Sequence, residues 1–361
     1  MAAFPTVINE VEAQWLTDSL RASAALGADS QVTGFDVEPI GMGVGIIGLL
    51  YRLSLRYDAE AAGPATLVLK LPATDPQARY LAQVFRFYEK EVGFYRQFAE
   101  LTPISTTACY AASHDPETDD FVLLFEDIGD ATVHSQVDGC PLDAALLTVR
   151  NLARHHATFA DSALFDDPDF AWLPFGSDTP TPEALIQGVT ASWAPFKAKF
   201  PEFVTSELTA IIERFPGSVR SLLTVKPGRP ITIVHGDYRL DNLFFADGGV
   251  TTIDWQVCAK GPFAYDLAYF ITQSLTVEDR RAHEAELIDA YLAELESAGV
   301  SHDRGMLMDD YRATAMFCLC YPIQAGTVEL VNERARALIV DIFNRSLTAI
   351  HDHNATEFLL D

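Results

Sequence analysis

The sequence predicts an α+β chain of two lobes, a smaller β-rich one followed by a larger, mostly helical one. Three observations lead there. Between Phe35 and Leu71 the apolar residues alternate with period two; beyond about residue 141 they recur at helical spacing; and one β-rich island, residues 231–255, interrupts the helical part. A length of 361 residues suits two domains better than one. The junction is expected near Glu126–Asp130, giving a first lobe over 1–128 and a second over 129–361.

The elements follow in order. Val11, Trp15, Leu16, Leu20 and Leu26 fall near helical spacing and Gly27 supplies a stop, so residues 9–26 predict a helix. Tyr51, Leu53, Leu55 and Tyr57 alternate with Arg52, Ser54 and Arg56, a strand with one polar face; Leu67, Leu69 and Leu71 mark a second. Leu81, Phe85, Tyr88, Val92 and Tyr95 return to helical spacing over 79–99, and FVLLF (121–125) reads as a short buried strand. Helices are expected over 141–160, 181–215, 278–298 and 308–350.

Composition excludes several classes. The chain is 49% hydrophobic, too apolar for disorder, and 25 basic against 51 acidic residues leave a formal charge of −26, which repels phosphate backbones and argues against nucleic-acid binding. Five cysteines, odd in number, scattered and without a C-x-x-C pair, argue against a disulfide framework or a zinc site. The N-terminus has no basic region followed by an apolar one, so no signal peptide is read. The longest apolar stretches, such as Val44–Tyr51, fall far short of the ~20 residues of a membrane span. Together these imply a cytoplasmic protein without membrane insertion.

Four features carry chemistry. Gly41, Gly43, Gly45 and Gly48 form a loop whose backbone can approach a phosphate closely. GVGIIG (43–48) matches the dinucleotide fingerprint, but that fingerprint must open a helix, whereas this loop runs into the strand 49–57; no G-K-[ST] exists for a Walker A loop. A glycine loop between two strands is the kinase arrangement. Lys70 lies inside the apolar strand TLVLKLP, and Glu91 shares a helical face with Val84, Phe87, Tyr88, Tyr95 and Phe98; a carboxylate on such a face needs a cation, and Lys70 is the candidate, with Glu89 on a more polar arc. The pair matches the lysine–glutamate pair that holds nucleotide phosphates in kinases.

The island, ITIVHGDYRLDNLFFADGGVTTIDWQ, predicts strand 231–234, a loop with His235-Gly236-Asp237, strand 243–246, the turn Asp247-Gly248-Gly249, and strand 250–255. A hairpin centred on Gly248 brings Asn242 opposite Asp254 at its open end, beside Asp237. Amide and carboxylate oxygens there suit a hard cation such as Mg²⁺. The D-x-x-x-x-N spacing from Asp237 to Asn242 is that of the kinase catalytic loop. Asp237 is the expected base, Asn242 and Asp254 the expected metal ligands, and Arg239 could reach the transferred phosphoryl group.

With these residues the sequence resembles the aminoglycoside phosphotransferase and choline kinase superfamily, including its ecdysteroid-kinase-like branch. The resemblance rests on the glycine loop 41–48, Lys70, Glu91 in EVGFY, LLFEDIG (123–129), HGDYRLDN (235–242), IDWQ (253–256) and DLAYF (266–270), in family order over most of the chain. It implies a two-lobed protein-kinase-like fold and ATP- and Mg²⁺-dependent phosphorylation of a small-molecule hydroxyl. It further implies adenine bound to hinge backbone near Phe125, Glu126 and Ile128, Asp266 bracing the catalytic loop, and His155 as a packing residue. Gln256, where many relatives carry glutamate, and the stretch GPFAYD lean toward the ecdysteroid-kinase-like side, and the glycine loop lacks the serine common in such enzymes.

Rival readings are a protein kinase, a non-catalytic nucleotide-binding regulator and a dehydrogenase. Eleven residues separating Asp254 from Asp266, with no A-P-E, leave no activation segment. A decayed regulator would be expected to lack Asp237, Asn242, Asp254 or Lys70, and all four are present. The acceptor stays open. Trp172, Trp193, Phe196, Phe317 and Tyr321 could line an apolar pocket, while the acids of 161–169 and Asp309–Asp310 could attract a cation.

Overall fold

The period-two alternation of the first third of the chain becomes a sheet with two different faces. The computed structural model describes residues 4–41, 47–59, 63–327 and 333–361. It divides into two units, residues 1–131 with Thr252–Val257, and Thr132–Thr251 with Cys258–Asp361. The division thus falls after Ala131 rather than at 128, and 252–257 joins the first unit. Trp255 accounts for the latter: it is fully buried and stacks on Phe94 with ring centroids 3.7 Å apart.

The first unit runs α1 (Ala13–Ala22), β1 (Val32–Ile40), β2 (Gly48–Tyr57), β3 (Thr66–Pro72), α2 (Pro76–Phe85), α3 (Phe87–Gln97), β4 (Ser105–Thr106), β5 (Cys109–Asp115) and β6 (Asp120–Glu126). An antiparallel sheet has the order β1-β2-β3-β6-β5. Because strand side chains alternate, Leu53, Leu67, Leu69, Leu71, Val122 and Leu124 share one face and pack with Leu16 and Leu20 of α1; burying each such side chain contributes about 1.5–3 kcal/mol. The register pairs Leu50 with Lys70, Arg52 with Val68, Lys70 with Leu123 and Val68 with Phe125, so these residues form the opposite face.

Two expectations fail here. The helix expected over 79–99 is two helices, broken at Arg86, whose φ of +55° is left-handed. Val84 therefore does not share a helix with Glu91. Strand β5 was not anticipated, since every residue of CYAASHD is half-buried and the segment has no alternation to read.

The second unit contains α4 (Leu142–Thr158), α5 (Thr181–Lys199), α6 (Ser206–Leu223), β7 (Ile231–Val234), β8 (Leu243–Ala246), β9 (Gly249–Thr252), β10 (Ala259–Pro262), α7 (Ala264–Ser274), α8 (Val277–Ser297), α9 (Arg304–Phe317), α10 (Cys320–Gln324) and α11 (Glu333–Asp352). The single helix expected over 181–215 is α5 and α6, the latter started by Thr205, whose hydroxyl accepts from Leu208 N at 3.0 Å. That expected over 308–350 is α9, α10 and α11. In the island the turn is Asp247-Gly248, both left-handed with φ of +51° and +73°, which suits a two-residue hairpin loop. Gly249 already lies in β9, the strand ends at Thr252, and Trp255–Val257 is a 3-10 turn. The hairpin centre thus lies between Asp247 and Gly248 instead of on Gly248. The unanticipated β10 pairs antiparallel with β7.

Two apolar clusters fill this unit. One joins Val149 and Leu152 of α4 to Leu267 and Phe270 of α7 and Leu287 and Tyr291 of α8; the other joins Phe196, Phe215, Phe317 and Phe343. All five cysteines are free. No helix among the described residues is long and apolar enough to cross a membrane.

Where α8, α9 and α11 meet, charge is buried in compensated form. Arg280 is 1% exposed and binds Asp352 and Glu284, Arg281 binds Asp352 at 2.8 and 2.9 Å, and Glu284 also accepts from Tyr311 and lies 2.9 Å from His353 Nε2. Hydrogen bonds from Arg281, then Arg280, hold the Asp352 carboxyl down at about 2, against the drive of burial in the other direction. A group depressed on folding contributes stability above its unfolded value of about 4 and loses it as pH falls toward about 2. Asp352→Asn should therefore unfold at lower urea than the parent at pH 7, and the gap should narrow as pH is lowered from 4 toward 2; urea melts across that range check it.

Candidate active site

Lys70 stands on the sheet face away from α1, and α3 carries Glu91 to meet it. The ammonium lies 2.7 Å from Glu91 Oε2 and 2.9 Å from Oε1, and 2.9 Å from Asp254 Oδ1. Lys70 is 8% exposed and Glu91 1%. Burial alone would favour a neutral amine, but Asp254 and Glu91 more than offset it and hold the ammonium above its ordinary value. Burial pushes Glu91 in turn up to about 7, with Lys70 opposing. Glu89 turns instead to Arg86, at 2.7 Å. Asp254 has a left-handed φ of +64°, unusual for a residue with a side chain, and its Oδ2 accepts from Gln256 Nε2 at 3.2 Å.

Of the expected glycines, Gly41 has φ +68°, while Gly43 and Gly45 lie outside the described residues. A Cβ on Gly48 would come within 3.2 Å of Leu71 O and 3.4 Å of Lys70 Cε, so a side chain here would crowd the β3 backbone beside the lysine. Phe125 and Glu126 end β6, and Ile128 follows.

In the second unit, β7 delivers Asp237 into a loop that is fastened from several sides. Asp237 Oδ1 accepts from Tyr269 Oη at 2.7 Å and lies 3.3 Å from Arg239 Nε; Asn242 Nδ2 donates to Oδ2 at 3.1 Å and to the Asp237 carbonyl at 2.9 Å. Burial would raise the Asp237 carboxyl, but Arg239, Tyr269, His235 and Asn242 outweigh it and hold it below the ordinary value. Arg239 also binds Asp241 at 2.9 Å. Gly236 has φ +86°, which a glycine adopts without strain.

Asp266, at the start of α7, accepts from His235 N at 2.6 Å and Gly236 N at 2.9 Å. His156 Nε2 lies 3.2 Å from the same carboxylate and its Nδ1 2.7 Å from Tyr291 Oη. His155, expected to pack, is fully buried with Nε2 3.0 Å from Ile233 O. A second support missed by sequence reasoning is Gln136: its side chain accepts from Leu240 N at 3.2 Å, while the buried Arg345 donates to its carbonyl at 2.6 Å. Gln136 and Arg345 belong to no motif, whereas Tyr269 lies in DLAYF (266–270), where its place three residues after Asp266 on one helical face was readable.

The expected metal ligands Asn242 and Asp254 are thus described within separate units, one on Asp237 and the other on Lys70. Among the described residues no group of three or more His, Cys, Asp or Glu side chains forms a self-contained metal site. The donor chemistry still fits a nucleotide-borne Mg²⁺, which needs only one or two protein oxygens, and one ammonium facing two carboxylates leaves Asp254 in anionic surroundings.

The acceptor candidates sort differently from expectation. Phe196 is wholly buried core and Phe317 is 2% exposed. Tyr321 lies 5.0 Å, ring to ring, from Tyr269, and its hydroxyl is 2.7 Å from that of Tyr265, so an aromatic group adjoins Asp237. Asp309 and Asp310 are engaged by Arg229 and Lys226, and Asp161 accepts from Ile231 N, so these acids serve the local structure.

The fold is that of the small-molecule phosphotransferases. Solved structures similar to this chain include an amicoumacin kinase in complex with AMP-PNP and Ca²⁺ (13% identity, 94% of this chain and 96% of that one, TM-score 0.56). They also include a choline kinase from Cryptosporidium parvum (13%, 96% and 95%, 0.52) and a choline/ethanolamine kinase family protein from Mesorhizobium loti (18%, 94% and 97%, 0.51). No curated protein matches the chain. The model of the ecdysteroid kinase-like family matches residues 43–299, well over half the chain, and the chain belongs to that family.

Asp266 makes the support of the loop testable. Asp266→Ala would leave two buried backbone donors and His156 without their acceptor, and should lower the unfolding free energy by about 3–5 kcal/mol, with Asp266→Asn losing less because it keeps one acceptor oxygen. Denaturant titration of the three proteins measures both losses.

Proposed function

We propose that this protein transfers the γ-phosphoryl group of ATP to a hydroxyl of a small molecule. The observation that carries the reading is the buried Lys70 ammonium shared by Glu91 and Asp254. An ammonium so deeply buried between two acids stays charged and oriented, as a phosphate-holding lysine must.

In this reading the first unit holds the nucleotide. Lys70 and the backbone amides of Gly41, Gly43 and Gly45 bind phosphate oxygens, Glu91 fixes Lys70, and the backbone around Phe125, Glu126 and Ile128 binds adenine. Asp254 and Asn242 carry the oxygens suited to Mg²⁺. Bound Mg·ATP supplies the phosphoryl group and neutralises charge during transfer. Asp237 accepts the proton of the acceptor hydroxyl and orients its oxygen. Tyr269 and Asn242 keep that carboxylate in one orientation, and Arg239 neutralises charge beside it. Catalysis is then mainly positioning and electrostatics. The acceptor binds beside Asp237, with Tyr265, Tyr269 and Tyr321 available as an aromatic wall. Five free cysteines suit a reducing cytoplasm.

ADP release from Mg·ATP, read across a library of aminoglycosides, amino alcohols and sterols, should find at least one accelerating alcohol. With it, Asp237→Ala should lower turnover by about 10²–10⁴-fold while calorimetric ATP affinity persists, and near-parental turnover would refute the role of Asp237. Asp254→Ala should abolish the Mg²⁺ dependence of ATP binding. Tight ATP binding with no turnover on any acceptor would instead favour a non-catalytic regulator.

A further inference from the structure

The FEDIG segment contributes more than hinge backbone. Asp127, between Glu126 and Ile128, accepts from Arg52 Nε at 2.6 Å and Arg52 Nη2 at 3.3 Å, a two-pronged contact, and its Oδ1 also accepts from Gly129 N at 3.3 Å. The Asp127 side chain is 8% exposed and that of Arg52 38%, so the pair is anchored at its carboxylate end, and its two-pronged geometry sets it apart from a single-contact surface bridge. Burial would raise the Asp127 carboxyl, but the Arg52 and Gly129 hydrogen bonds hold it below the ordinary value. One carboxylate thereby sets the turn that leaves β6, where Gly129 has φ +70°.

Arg52 occupies a telling position. It pairs across the sheet with Val68, two residues from Lys70 along β3 and on the same face, so it stands about 7 Å further along the strand from the lysine. Val68 pairs in turn with Phe125. The face thus runs from Lys70, level with Leu50, to Arg52, level with Val68 and Phe125, and on to the hinge. If Lys70 takes the phosphates, a flat base lies toward Arg52 and the Glu126–Gly129 backbone. Arg52 belongs to β2, the strand that the glycine loop enters, and Asp127 belongs to the hinge.

We infer that Arg52 and Asp127 act as one positioning pair for the nucleobase, holding the hinge backbone at a fixed distance from the sheet face, and contribute to binding the base but not the phosphates. This rests on the phosphotransfer reading above.

The test compares calorimetric binding of Mg·ATP with that of Mg·tripolyphosphate, which has the phosphates and no base. Arg52→Met and Asp127→Asn should each weaken ATP about tenfold, the scale of one charge-assisted pair, and leave tripolyphosphate unchanged. The double variant should be no worse than either single, because both remove the same interaction. Lys70→Met should weaken both ligands. Unchanged ATP affinity in Arg52→Met, equal loss for tripolyphosphate, or additive losses in the double variant would overturn the inference. Should Arg52→Met fail to fold, the isosteric Asp127→Asn alone decides between the same outcomes. If the parent protein bound neither ligand, the phosphotransfer reading itself would fall; parental binding with indifferent variants would remove only the pair.

Discussion

A charged amine buried in a sheet is tolerable only when its charge is answered, and that constraint organises the first unit. Lys70 cannot face the α1 side, where Leu67, Leu69 and Leu71 build an apolar layer. It emerges on the other face, and α3 must place Glu91 over it while residues 252–257 bring Asp254. Trp255, stacked on Phe94 of α3, anchors that short segment, so the helix that supplies one acid also seats the other. The three charged groups are mutually dependent. Removing either acid would leave the ammonium less well compensated, and removing Lys70 would leave two acids in repulsion.

The second unit solves a related problem mostly with neutral donors, Arg239 adding a positive charge beside Asp237. A loop carrying a buried carboxylate exposes backbone N–H groups that need partners. Asp266 takes two of them, Gln136 takes a third from Leu240, and Tyr269 and Asn242 hold the two oxygens of Asp237 separately. The supports are themselves fastened, Asp266 by His156 and Gln136 by Arg345. Asp266 and Tyr269 sit three residues apart on α7, so one helix controls both the path of the loop and the orientation of its carboxylate.

The large negative charge takes on a more ordinary meaning in this light. Three of the acids that looked available to a cationic acceptor are engaged: Asp309 and Asp310 with Arg229 and Lys226, and Asp161 with a backbone amide. What adjoins Asp237 is a group of tyrosines. At Asp161, Asp309 and Asp310 the negative charge serves the local structure.

Much of this was legible in one dimension. Period-two apolar runs marked the strands β1, β2 and β3, and the unbroken apolar run FVLLF marked β6. The isolated lysine in TLVLKLP and the acid on an apolar helical face named their own partnership, because burying either alone is so unfavourable that the sequence betrays the pair. The spacing of HGDYRLDN put Asp237 and Asn242 in one short loop, which limits how far apart their side chains can lie, but their direct hydrogen bond appears only in the structure. Tertiary structure alone decided the rest. The break at Arg86 has no glycine or proline to announce it, and β5 has no alternation because both its faces are half-buried. Tyr269, Gln136, Arg345 and the Arg52–Asp127 pair connect residues from 32 to 209 positions apart. Such contacts depend on where whole elements pack, and a local pattern contains no record of that.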